Sequence, residues 1–188
     1  MKETALTGSE IGANYVYGGD TSNNYMAYYW SDSCHYGSQT YGTDEYNSDK
    51  TTGCSGHNDY AGSKIKEVVD NYMTNYLDST DLKEVDGYKI RLITVTELQE
   101  NLYLSTILTN QYYSYYAIDT QNTPTWVYQN FGTNVSGYWT MSPVVDNSAK
   151  VWSVRSDAKV GTAPVHYVGP SLGYGVRPVI NLLKSAVD

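Results

Sequence analysis

Three blocks near the end of the chain decide how its fold is read: Tyr138-Trp139-Thr140-Met141-Ser142-Pro143, Val151-Trp152-Ser153-Val154-Arg155-Ser156 and Gly175-Val176-Arg177-Pro178-Val179-Ile180-Asn181-Leu182. Each holds β-branched and aromatic residues in a short run bounded by turn formers, the pattern of closely spaced strands. Strands are expected over residues 138–142, 151–155, 165–168 and 176–182. Asp146-Asn147, Ser156-Asp157, Gly161 and the run Gly169-Pro170 to Gly173 supply turns between them. On a two-residue period, Trp152 and Val154 face one side, and Val151, Ser153 and Arg155 the other. Trp139 and Trp152 are expected to be buried, anchoring the core beneath one small antiparallel sheet.

Upstream the period changes. Ile65, Val68, Val69, Tyr72, Met73, Tyr76 and Leu77 recur at helical spacing and predict a helix over residues 63–77 with Ser63 as N-cap. Asp86-Gly87 between the runs 82–85 and 88–93 is a two-residue hairpin signal. Thr94 and Glu97 have the spacing of a capping box, opening a second helix from Val95 to about Leu104. A polar, Tyr-rich stretch with Tyr112, Tyr113, Tyr115 and Tyr116 runs on to Gln121, and residues 124–128 form a short ordered segment that packs Trp126. Residues 1–62 are rich in Gly, Ser, Asn and Tyr, with short candidate strands over 14–17 and 25–30 and a long loop over 31–62. Two helices followed by a strand-rich half predict the α+β class. The 188 residues are read as a single domain with a loop-rich part, 1–62, and a part carrying helices and closing sheet, 63–188.

Charge narrows the function. Lys and Arg number 12 against 20 Asp and Glu, a net −8 that argues against nucleic acid, whose phosphates call for clustered cations. No apolar run approaches the ~20 residues of a membrane span, and the polar first ten residues show no signal-peptide pattern. Among the aromatics there are 21 Tyr, 4 Trp and 1 Phe. Tyr joins an apolar body to a polar tip and suits binding surfaces built with Ser, Gly and Asn. A drift in codon composition explains the same count equally well.

The three C-terminal blocks resemble, in order and spacing, bacterial domains with the C-type-lectin fold. The first is similar to a "WWLRSP"-type strand, the second to the strand after it, and the third to the closing "GVRPAxxL" strand. The resemblance covers about residues 60–182 and hardly touches 1–59. It implies a C-type-lectin-like fold, formylglycine-generating-enzyme-like in outline, with two helices on a small antiparallel sheet. The nearest likeness is to the pilin-associated domains of gut Firmicutes. Variable proteins of diversity-generating retroelements share the "GVRP" ending. In those proteins the diversified, receptor-binding stretch corresponds to residues 144–173 here, whose loops carry Val144, Val145, Ala163, Pro164 and Leu172.

Chemistry-bearing residues are sparse. Cys34 and Cys54, 20 positions apart, read as a disulfide stapling a loop with little core of its own, which implies an oxidising, extracellular setting. Their neighbours His35 and His57 invite a zinc reading, but adjacent Cys-His rarely reaches one ion and no Cys-x2-Cys pair exists. The Glu-Pro-Asn, Gln-Pro-Asp and Trp-Asn-Asp ligands of calcium-dependent lectins are missing from the sequence. Asp44, Glu45 and Asp49 lack the spacing of a calcium loop. The sequence has no His-Glu-x-x-His, and formylglycine-type catalysis needs a cysteine pair in the C-terminal half. Glu97 reads as a cap, Arg177 as a bridge between strands or loops, and the Tyr112–Tyr116 run as either a stacking platform or loop packing.

The chain is therefore expected to bind rather than catalyse, without metal or cofactor. A surface protein or glycan would meet Val145, Asp146, Asn147, Ser148, Asp157, Lys159, Tyr167, Ser171 and Tyr174, exposed on one side of the sheet. The setting is extracellular or at the bacterial surface, and the expected role is adhesion. The alternative is a structural head domain of a pilin-like filament subunit, packing against copies of itself.

Overall fold

The structure is a computed structural model that describes residues 6, 10, 58–101, 104–109, 114–129, 135–147, 150–164 and 173–184. The two N-terminal candidate strands, both cysteines and all three histidines lie outside the described residues, as do Tyr112, Tyr113, Ser148, Tyr167 and Ser171.

Helix α1 spans Lys64–Tyr76. Its N-cap is Ser63, whose Oγ accepts from the Lys66 amide at 3.1 Å and donates to the Tyr60 carbonyl at 2.8 Å. That serves one of the amides a helix start leaves without a partner. Ile65, Val68 and Val69 are buried, and Tyr72, Met73 and Leu77 pack beside them. Asp86 and Gly87 adopt φ of 53° and 82°, and Val85 and Tyr88 exchange backbone hydrogen bonds across them at 2.9 and 3.0 Å. The expected tight turn is thus present, with positive φ at both central positions. Its arms, however, recruit the far end of the chain. Leu82 bridges Leu182, while strand β1 (Ile90–Arg91) pairs with strand β8 (Val179–Ile180).

Helix α2 spans Val95–Asn101. The capping box forms in full: Thr94 Oγ1 accepts from the Glu97 amide at 3.1 Å, and Glu97 Oε2 accepts from the Thr94 amide at 2.9 Å. The helix stops short of Leu104, where strand β2 (Leu104–Thr109) begins. Strand β3 (Ser114–Ile118) pairs antiparallel with β2. Tyr115 and Tyr116 of the polar Tyr-rich stretch therefore lie in a strand, whose alternation is masked in sequence because the two adjacent tyrosines occupy both faces. A turn of 3-10 helix, Thr125–Val127, carries Trp126.

The remaining strands are β4 (Val135–Pro143), β5 (Lys150–Arg155), β6 (Lys159–Pro164) and β7 (Gly173–Gly175). Among the described residues, six strands form one sheet in the order β2-β3-β6-β5-β4-β7. The β4–β7 pair is parallel and the others antiparallel, so the chain is α+β with a mixed sheet rather than a purely antiparallel one. Gly161, expected in a turn, sits mid-strand in β6 opposite Ser153. The tight turn falls earlier, at Ser156–Ala158, where Ala158 takes φ 55°. The expected 165–168 strand lies outside the described residues.

Of the closing strand expected over 176–182, only Val179–Ile180 forms a strand, and a second short strand lies just before the expected range, in another sheet. Gly173–Gly175 lies beside β4, and Val179–Ile180 lies beside β1. Pro178 between them has no N–H for a ladder, and Arg177 turns into the interior instead.

Both faces of the large sheet are covered. Trp139, Val151, Ala163 and Val176 join α1 and Leu6 on one face. Tyr138, Val154, Val160 and Ile118 join α2, Val127 and Tyr128 on the other. The two tryptophans therefore do not share a core. Trp139 registers with Ser153, so it lies on the face opposite Trp152. Trp139 is fully buried, whereas Trp152 is half-buried against Tyr116, with ring centroids 5.5 Å apart. No helix among the described residues is long and apolar enough to cross a membrane.

Candidate functional site

The expected site residues fall at two opposite ends of β5. Pro143 pairs with Val151 at one end, and Arg155 pairs with Lys159 at the other. Four strand steps of ~3.3 Å put these two pairs roughly 13 Å apart. Val145, Asp146 and Asn147 thus lie in the β4–β5 turn, and Asp157 and Lys159 lie at the β5–β6 turn. They do not form one surface on one side, because consecutive antiparallel connections alternate between the ends of a sheet.

The β4–β5 turn is closely tied. The Val144 amide donates to the Lys150 carbonyl at 3.1 Å, Asn147 to Val144 at 3.3 Å, and Lys150 to Asn147 at 3.0 Å. From outside the sheet, Asn58 Nδ2 reaches the carbonyls of Val144, Asn147 and Lys150 at 3.2, 3.3 and 3.0 Å. One side-chain amide thereby serves acceptors spread over seven residues of turn. Asp146 and Asn147 are exposed, and Val145 is 94% exposed. The base of the turn is tied to α2: Ser142 Oγ accepts from the Val95 amide at 2.9 Å, and the Met141 amide donates to Ile93 at 3.0 Å. Sequence reasoning missed Asn58, since it stands at least 86 positions from its partners and no local pattern marks it.

At the other end Asp157 accepts from Arg155 Nε and Nη2 at 3.2 and 3.3 Å and from Lys159 Nζ at 2.9 Å. Lys159 Nζ also lies 5.2 Å from the centroid of the Tyr115 ring. Tyr174 belongs to neither surface. It was expected to be exposed, yet it is 7% exposed, with its ring 4.8 Å from that of Trp139. Its strand is drawn in by parallel pairing with β4. Burial raises the Tyr174 hydroxyl's pKa, partly countered by a hydrogen bond with Ser153 and the Arg155 charge.

The other two arginines are structural. Arg177 is fully buried; its Nη1 donates to the Trp126 carbonyl at 2.7 Å and the Val127 carbonyl at 3.4 Å. Its guanidinium lies 4.8 Å from the Tyr138 ring centroid and 5.6 Å from that of Trp126. Burial raises the Tyr138 hydroxyl's pKa, and Arg177 opposes that rise. Arg91 forms a two-pronged ion pair with Glu97. Burial alone raises the Glu97 pKa, but hydrogen bonds from Arg91 and Thr94 and the Arg91 charge outweigh it and hold the carboxyl down at about 2. Glu97 is thereby a cap and a counter-ion. Among the described residues no three His, Cys, Asp or Glu side chains cluster closely enough to hold a metal ion.

Compared with family models, with curated proteins and with solved structures, the chain finds no match.

Proposed function

We propose that the chain is an extracellular or cell-surface binding domain of C-type-lectin-like fold that recognises a surface protein or glycan through its β4–β5 turn. The observation that carries this reading is Val145, 94% exposed on a turn whose backbone is held by Asn58 from outside the sheet. A lone exposed apolar side chain is ordinary. An apolar side chain on a turn tied by a distant residue is better suited to contact, because a preorganised loop avoids much of the ordering cost of binding. Asp146 and Asn147 beside it add polar contacts.

The α+β architecture and the placement of the first two C-terminal blocks in adjacent paired strands support the finer fold assignment. The Tyr-rich, charge-poor composition supports a recognition role and a surface setting. On this reading residues 144–173 correspond to the diversified stretch of a retroelement variable protein, and the domain acts by recognition rather than turnover.

The test is a glycan array and a panel of purified bacterial and host surface proteins, probed with the wild-type chain and a V145S/D146A/N147A variant. The wild type should bind one ligand class, and the variant should bind it at least about tenfold more weakly with an unchanged Tm, as expected for exposed positions. Equal binding by both proteins, or no binding by the wild type, would sink the proposal.

A further inference from the structure

The far end of β5 carries a surface independent of the β4–β5 turn. The chain has three arginines. Arg91 and Arg177 are 8% and 0% exposed and held by interior partners, whereas the Arg155 side chain is 44% exposed. Arg155 and Lys159 stand directly opposite each other across the β5–β6 ladder. Like charges in that position are unfavourable, and in a chain of net charge −8 they are not a consequence of cation abundance. Asp157 offsets the repulsion by accepting from both. The trio still keeps a net positive charge, and the two cationic side chains carry more donors than one carboxylate engages.

The ground beneath them is shaped by Gly161. A Cβ there would lie 3.4 Å from Arg155 Cδ and 3.9 Å from Tyr115 Cβ. Gly161 is buried, and having no side chain it lets the arginine stem lie close over the sheet beside Tyr115, with Lys159 standing over the ring. Two partly exposed cations beside one aromatic ring suit a small ring that bears one carboxylate. An extended acidic protein surface fits less well, because the rest of this negatively charged chain would repel it.

We infer that Tyr115, Arg155 and Lys159 form a site for the carboxylate of an acidic sugar, with Asp157 holding the two cations in place until the ligand's carboxylate shares them. The experiment is an NMR titration of the labelled chain with glucuronate, using glucose and acetate as controls and a hexaglutamate peptide as the protein-like rival. Glucuronate should shift the amides of Tyr115, Gly161 and Arg155 to Lys159, more weakly as salt rises. R155A should weaken binding about tenfold, the loss of one charge-assisted hydrogen bond. R155A/K159A should abolish binding, and D157N should tighten it; a plain surface ion pair would show no gain from D157N. These side chains are partly exposed, so an unchanged spectrum elsewhere verifies the fold of each variant. The inference is overturned if glucuronate shifts none of these amides, if glucose or acetate matches it, or if hexaglutamate binds the patch more tightly. Because Val145 lies at the other end of β5, V145S should leave the titration unchanged, so the two sites stand or fall separately.

Discussion

Asn58 Nδ2 lies 3.0 Å from the Lys150 carbonyl oxygen, and this contact joins the segment before α1 to the turn between two sheet strands. The same nitrogen also reaches Val144 and Asn147, so the shape of the β4–β5 turn depends on a residue at least 86 positions away.

Asn58→Ala should therefore loosen that turn selectively. Hydrogen exchange at the amides of Val144, Asn147 and Lys150 should quicken, while exchange in α1 stays unchanged. Global stability should fall by about 1–2 kcal/mol, the range for lost hydrogen bonds at a part-buried site. Unchanged exchange at all three amides would show that the turn holds itself.

Glu97 should govern part of the acid sensitivity. Its folded pKa of about 2 lies below the ordinary 4.5. A depressed carboxyl contributes stability that is present above the unfolded value and is lost as pH falls through the folded one. Denaturation midpoints should thus drop between about pH 4.5 and pH 2, and drop less steeply in Glu97→Gln. Parallel pH profiles for the two proteins would contradict the Arg91–Glu97 pairing.

The two core tryptophans should differ under truncation. Trp139 is fully buried and Trp152 is half-buried on the opposite face. Trp139→Ala should cost about 3–5 kcal/mol, and Trp152→Ala should cost distinctly less. Urea unfolding of the two variants measures the gap, and equal costs would contradict the difference in their burial.

Arg177→Lys should be destabilising despite keeping the charge. A lysine offers no planar fork to sit over Tyr138 and Trp126 while donating to the Trp126 carbonyl. We expect a loss of about 2 kcal/mol, as for a buried acceptor stripped of its donor. A Tm within error of the wild type would assign Arg177 no bridging role.

Elements that depend on neighbours within a few residues were legible in the sequence. The α1 stripe, the Ser63 cap, the Thr94–Glu97 box and the Asp86-Gly87 turn each arise from contacts over two to four positions, so composition and spacing carry them. β5 was legible too, because Val151 to Arg155 alternate between the two faces.

What only the tertiary structure decided is long-range. Pairing of β4 with β7 buries Tyr174, and pairing of β1 with β8 splits the closing run at Pro178. Trp139 and Trp152 share a residue type but not a face, since face is set by register with the partner strand. The candidate site divided for the same reason. Val145 and Asp157 look alike as turn residues in sequence, but antiparallel connections place them at opposite ends of β5. Asn58 holds one of those ends through hydrogen bonds that no local pattern encodes.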